Sequence, residues 1–99
     1  MDNLNSVVVL GKLNSIYYVN KSTTIILINL FKNGTTKLTI PIYLSVALSK
    51  SVKKHCKTND SIGIRGSIAI RNEQLIIIAD KIALVFKVTS RFMKKIISL

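Results

Sequence analysis

The stretch Asp60–Phe86, DSIGIRGSIAIRNEQLIIIADKIALVF, constrains this chain more than any other. Two extended runs, Ser61–Arg71 and Gln74–Phe86, meet at a short polar corner, Asn72–Glu73. In the first run Ile62, Ile64, Ile68 and Ile70 alternate with Gly63, Arg65, Ser67, Ala69 and Arg71. Period-2 alternation of this kind marks a strand with one buried face. The second run is apolar on both faces except at Asp80 and Lys81, so both its sides are expected to be covered for most of its length. A long hairpin with one two-sided strand requires a strongly bent sheet or a closed barrel.

The remaining segments supply the other walls. Asn5–Leu13 (NSVVVLGKL) reads as a first strand that continues through Ile16–Val19, with Gly11 as a bulge or coil point. Asn20–Lys21–Ser22 forms a turn, and Thr23–Lys32 is the second strand. Asn33–Gly34 is a strong hairpin signal, because a type I′ turn needs positive φ at both central residues. Thr35–Leu44 is the third strand, with Leu38, Ile40, Ile42 and Leu44 on one face and Lys37, Thr39, Pro41 and Tyr43 on the other. Pro41 cannot donate to a ladder, which predicts an edge or a bulge there.

Ser45–Lys57 changes to helical period, with Ser45 available as N-cap and lysines late, where they suit the negative helix end. The order is β-β-β-α-β-β. Beyond it, Val88–Leu99 carries Arg91, Lys94 and Lys95 among Phe92, Met93, Ile96 and Ile97, and Ser90 is placed to cap a short helix. Residues 1–88 are therefore expected to form one folded domain and residues 89–99 a basic amphipathic extension. At 99 residues one domain is expected.

The charge points to a partner. Fifteen Lys and Arg against four Asp and Glu give a net charge of +11. A small domain this basic is suited to a polyanion, nucleic acid before an anionic membrane. Cys56 stands alone, so no intrachain disulfide forms, consistent with a reducing cytoplasm. The start, MDNLNS, lacks the pattern of a secretory signal, and no apolar run approaches the ~20 residues of a membrane-spanning helix. The four carboxylates are scattered, His55 and Cys56 face different ways on a helix, and no phosphate-binding Gly-Lys loop occurs. Neither a catalytic group, a metal site nor a cofactor is expected.

Five strands with a helix between the third and fourth is the order of the OB-fold, an all-β Greek-key barrel that binds oligonucleotides. Three segments add a family resemblance. Asn5–Leu13 resembles the N-terminal strand of bacterial single-stranded-DNA-binding (SSB) proteins, in which Asn, an aliphatic run, Gly, a basic residue and Leu follow in that order. Ser51–Ile68 is similar to the family's helix-turn-strand segment, with Gly63 and Gly66 at its Gly-x-x-Gly. Ala79–Asp80 followed by Val85 resembles its last strand. The departures are definite: there is no Trp, Ser45 stands where the family's helix opens on Trp, the loop between strands four and five is cut to Asn72–Glu73, and Arg91–Leu99 is basic where the family has an acidic tip. The chain looks like a minimal or divergent member, or a primosomal-type relative.

What the resemblance implies is non-enzymatic binding of single-stranded DNA in replication, recombination or repair, by a homo-oligomer, dimer or tetramer. An RNA-binding OB domain and a primosomal protein-interaction module remain open. Such binding needs cations along the phosphate path and flat side chains on which bases stack. The stacking candidates are Tyr43, Phe31 and one of Tyr17 and Tyr18, which point to opposite sides of their strand so that the other is expected to pack inward or against the turn. The phosphate candidates are Lys12, Lys21, Lys32, Lys37, Arg65 and Arg71. Lys50, Lys53, Lys54 and Lys57 crowd one helix and read as a solvated face.

Overall fold

The computed structural model describes residues 5–32, 36–87 and 94–99. Its elements are β1 (Val7–Asn20), β2 (Thr23–Lys32), β3 (Thr36–Leu44), α1 (Val46–His55), β4 (Ser61–Arg71), β5 (Gln74–Lys87) and β6 (Lys94–Ser98). The sheet order is β3-β2-β1-β4-β5-β6, and a parallel pairing of Ile42 and Tyr43 in β3 with Ile77 and Ile78 in β5 closes the first five strands into a barrel. The expected Asn33–Gly34 turn lies outside the described residues.

Closure depends on β1 pairing with β4 along its first half and with β2 along its second. Val7–Lys12 pair with β4 and Lys12–Asn20 with β2, so the strand changes partner at Lys12. Gly11 stands beside that switch. A Cβ there would lie 2.5 Å from the Asn29 carbonyl oxygen, so the β1–β2 crossing closes only over a bare backbone. The alternating residues Ile26, Ile28, Ile42, Ile62, Ile64 and Ile82 fill the interior at 0–1% exposure. Pro41 falls where the second edge of β3 is still free, since β5 meets that strand only at the next two residues.

α1 plugs one end. The Ser45 hydroxyl accepts from the Leu48 N–H at 3.2 Å, the N-cap expected there, and Val52 is fully buried against the core. The Thr24 and Ser49 hydroxyls bond at 2.8 Å, tying the helix to β2. The exit turn, with Asn59 at φ 76°, is held on β1 by Asn59 N–H to the Leu13 carbonyl at 2.7 Å.

Three features differ from expectation. Ile68 and Ile70 are 42% and 75% exposed rather than buried. A register shift opposite Arg65 and Gly66 leaves Asp80 of β5 as an extra residue, and past it the hairpin projects beyond the barrel with Leu75 also exposed. Cover on both sides of β5 therefore begins at Ile76. Second, Gly66 alone is the coil point. An added Cβ on Gly63 would meet only Leu10 Cδ1, at 3.8 Å, so Gly63 answers no steric demand. Third, Lys94–Ser98 is a strand, not a helix: it pairs antiparallel with Ala83–Lys87, and the Leu99 N–H donates to the Ile82 carbonyl at 2.8 Å. Pairing with β5 outweighs the 3.6-residue apolar spacing of so short a segment. Ser90 lies outside the described residues.

The Asn of the SSB-like first segment has a definite task. The Asn5 side chain accepts from the Ile68 N–H at 2.6 Å and donates to the Ile68 carbonyl, so an amide side chain imitates a strand residue against β4. Asn5→Ala leaves both backbone groups to water at the base of the projecting hairpin. Urea unfolding is expected to show a loss of about 1–2 kcal/mol. An unchanged midpoint would contradict this role.

Candidate nucleic-acid interface

The register lines up side chains in rows across the outer face of β1, β2 and β3. Tyr17, Ile25 and Tyr43 form one row, Ser15, Leu27 and Pro41 the next, Lys12, Asn29 and Thr39 the third, and Phe31 lies one step further along β2. Period 2 keeps the four β2 residues of these rows, Ile25, Leu27, Asn29 and Phe31, on one side while Ile26 and Ile28 go inward. Tyr17 and Phe31 are 55% and 52% exposed, at opposite ends of the face. Six residues of strand separate Ile25 from Phe31, roughly 20 Å.

The projecting hairpin completes one end. Asn72 and Glu73 take φ of 52° and 64°, both left-handed, which closes a two-residue turn. Arg71 beside it sets its guanidinium carbon 5.3 Å from the centre of the Tyr43 ring. The corner itself is short, as expected, but the length of β4 and β5 carries Arg71 to the aromatic row. Arg71 thus stands as a cation against a half-buried tyrosine, a geometry worth roughly 0.5–2 kcal/mol.

Polar groups occupy the middle of the face. The Asn29 side-chain oxygen accepts from Asn14 Nδ2 at 3.1 Å and from the Thr39 hydroxyl at 2.8 Å. Asn29 is 7% exposed, and the two bonds fix its amide between the aromatic ends. Lys12 lies exposed in the same row, and Lys21 sits exposed in the turn between β1 and β2. Lys32 and Lys37 have strand positions at the Phe31 end, but their side chains are not among those described.

Two expected candidates stand apart. Arg65 and Arg71 have different neighbours, Arg71 lying over the Tyr43 ring and Arg65 beside Asp80. Arg65 Nε donates to Asp80 Oδ1 at 3.1 Å, an exposed pair that offsets its charge locally and contributes little stability. Arg65 lies where β1, β4 and β5 run side by side, and lines a shallow depression of about 220 Å³ with Val8, Gly63, Lys81 and Ala83. Tyr18 faces away from Tyr17, as its strand position requires. It does not pack inward, however: it is 55% exposed, with Lys53 Nζ of α1 5.6 Å from its ring centre. Nothing in the β1 pattern could have paired it with a helix lysine; that contact needs the helix docked.

Among the described residues no three His, Cys, Asp or Glu gather as for a metal ion, and no helix is long and apolar enough to cross a membrane. Burial pushes the Cys56 thiol up, with Asp60 adding to it, so the thiol is a poor nucleophile.

The closed barrel of five strands, with its helix between β3 and β4, is an OB-fold. No protein-family model matches the chain, and no curated protein matches it. Solved structures do. The fold is similar to the dimeric N-terminal domain of the PriB protein from Thermoanaerobacter tencongensis, at TM-score 0.66 and 18% identity over 86% of this chain and 100% of that one. It is similar to a small single-stranded DNA binding protein from Mycoplasma pneumoniae, at TM-score 0.63 and 23% identity over 92% and 94% of the two chains. It is similar also to the Plasmodium falciparum SSB in complex with ssDNA, at TM-score 0.58 and 14% identity over 100% and 97%.

Proposed function

We propose that this chain is a non-enzymatic single-stranded-DNA-binding protein, largely indifferent to sequence, that acts inside the cell in replication, recombination or repair. The observation that carries the reading is the row Tyr17–Ile25–Tyr43 with Arg71 set over Tyr43, on a barrel of net charge +11. Bases stack on Tyr17, Tyr43 and Phe31, and Lys12, Lys21, Lys32, Lys37 and Arg71 follow the phosphates. The ion pair makes Arg65 the weakest of the phosphate candidates. The similarity to SSB and PriB structures supports the same reading. Fluorescence anisotropy with labelled oligo-dT is expected to give micromolar or tighter binding that weakens steeply with salt. Absence of binding at low salt would sink the reading. Competition by oligo-U decides between DNA and RNA, since stacking and phosphate contacts serve both polymers.

Self-association is part of the proposal. Val8 and Leu10 on the outer face of β1 are 75% and 67% exposed beside Gly63 and Ala83. An apolar patch on a sheet face is suited to a second copy, and the PriB domain is a dimer. Light scattering is expected to report a dimer or tetramer, and Val8→Lys with Leu10→Lys to return the monomer. A native mass of 11.0 kDa would refute self-association.

A further inference from the structure

Tyr17 and Tyr18 are neighbours on opposite faces of β1, yet both are 55% exposed. Tyr17 shares its row with Tyr43, over which Arg71 lies. Tyr18 lies under Lys53. The end of the β1–β2 ribbon therefore carries an exposed tyrosine on each side, and on each side a tyrosine has a cation against its ring.

The helix next to Tyr18 continues that chemistry. Lys50, Lys53 and Lys54 follow the spacing i, i+3, i+4, which puts them in one stripe on α1, and Lys57 follows just past its extended C-cap, Cys56. All four are exposed. No described acidic side chain pairs with them; the Asp60 carboxylate nearby accepts the Lys57 backbone N–H instead. Like charges at i, i+3 and i+4 repel along a helix, and only those in the last turn are offset by the helix end. An unneutralised stripe of this kind is relieved by a polyanion laid along it.

We infer that α1 and Tyr18 form a second contact track for the same DNA strand, which leaves the outer face at Tyr17, rounds the β1–β2 turn at Lys21, stacks on Tyr18 and runs along Lys53, Lys50, Lys54 and Lys57. The inference rests on the proposed DNA-binding function. It makes the β1–β2 ribbon a post around which the strand turns, and it makes the site longer than the outer face.

Oligonucleotide length separates the two claims. OB-folds occupy about 4–16 nucleotides each, so an oligo-dT of about 6 residues reads the outer face and one of about 16 reads the face plus the track. The full chain is compared with K50Q/K53Q/K54Q and with Tyr18→Leu, each checked by circular dichroism. All four positions are exposed, so the fold is expected to persist. The expected result is an unchanged affinity for the short oligonucleotide, within about twofold, and a loss of about tenfold or more for the long one. In the triple variant the salt slope for the long oligonucleotide is expected to fall by about 2, three lost phosphate contacts at about 0.7 each. If the unaltered protein binds both lengths and the variants match it on both, the track is overturned and the outer-face reading stands. The track is overturned likewise if the variants weaken both lengths equally. If the unaltered protein binds neither length, both readings fall.

Discussion

Gly66→Ala is expected to destabilise the barrel by about 3 kcal/mol or more. The added Cβ would lie 2.9 Å from the Ile78 carbonyl carbon and closer still to its oxygen. Both are backbone atoms of β5 at the register shift, so no side chain can move aside. Relief would require the two strands to part where β5 turns from β4 towards β3. Gly63→Ala is the control. It sits three residues earlier in the same strand, and its Cβ would meet only Leu10 Cδ1 at 3.8 Å. That substitution is expected to change stability by less than about 1 kcal/mol, because a residue with a side chain loses less entropy than Gly on entering a strand. Urea denaturation of the two variants measures the contrast. Equal midpoints would show that the close approach at Gly66 is not what bends β4.

Tyr17→Ala combined with Tyr43→Ala is expected to weaken oligo-dT binding by about a hundredfold or more. Each ring in the row supports a stacked base worth roughly 1–3 kcal/mol. Tyr43→Phe keeps the π face and is expected to bind within about threefold of the unaltered protein, since stacking does not use the hydroxyl. Arg71→Gln tests the cation above that ring. It is expected to weaken binding and lower the salt slope by about 0.7, the signature of one phosphate contact. A double tyrosine variant that binds as the unaltered protein would move the interface off this face.

Much of this fold is readable in the residues. Alternation in Ser61–Arg71 and Thr35–Leu44, the helical period after Ser45 and the polar corner at Asn72–Glu73 each name an element, because each follows from local geometry. What stayed hidden depends on contacts between distant segments. Ile68 and Ile70 obey the same alternation as Ile62 and Ile64, yet they lie 42% and 75% exposed in the half of the hairpin nearer the turn. Val88–Leu99 has apolar residues at helical spacing, yet Lys94–Ser98 pairs with the free edge of β5. An edge is a property of the assembled sheet, not of the segment that joins it.

The candidate site divides in the same way. Tyr43, Phe31 and one of Tyr17 and Tyr18 follow as candidates from the alternation of side chains along a strand, and registry adds that Tyr17 is the one in a row with Tyr43. Pairing of Arg65 with Asp80 was not visible, since the residue opposite Arg65 in register is Lys81 and the ion pair forms diagonally. Nor was the Asn14–Asn29–Thr39 network, which joins three strands through one amide oxygen. The stripe on α1 is visible as charge, but the contact of Lys53 with Tyr18 is not, because sequence distance separates that ring from the helix.

The most direct test of the DNA-binding account uses the chain's own fluorescence. With no Trp and three Tyr, at positions 17, 18 and 43, emission reports on those rings alone. Titration with oligo-dT at low salt is predicted to quench tyrosine emission to a saturating endpoint, and added salt to restore it. Emission that stays flat through an excess of oligo-dT at low salt would contradict the account at its centre.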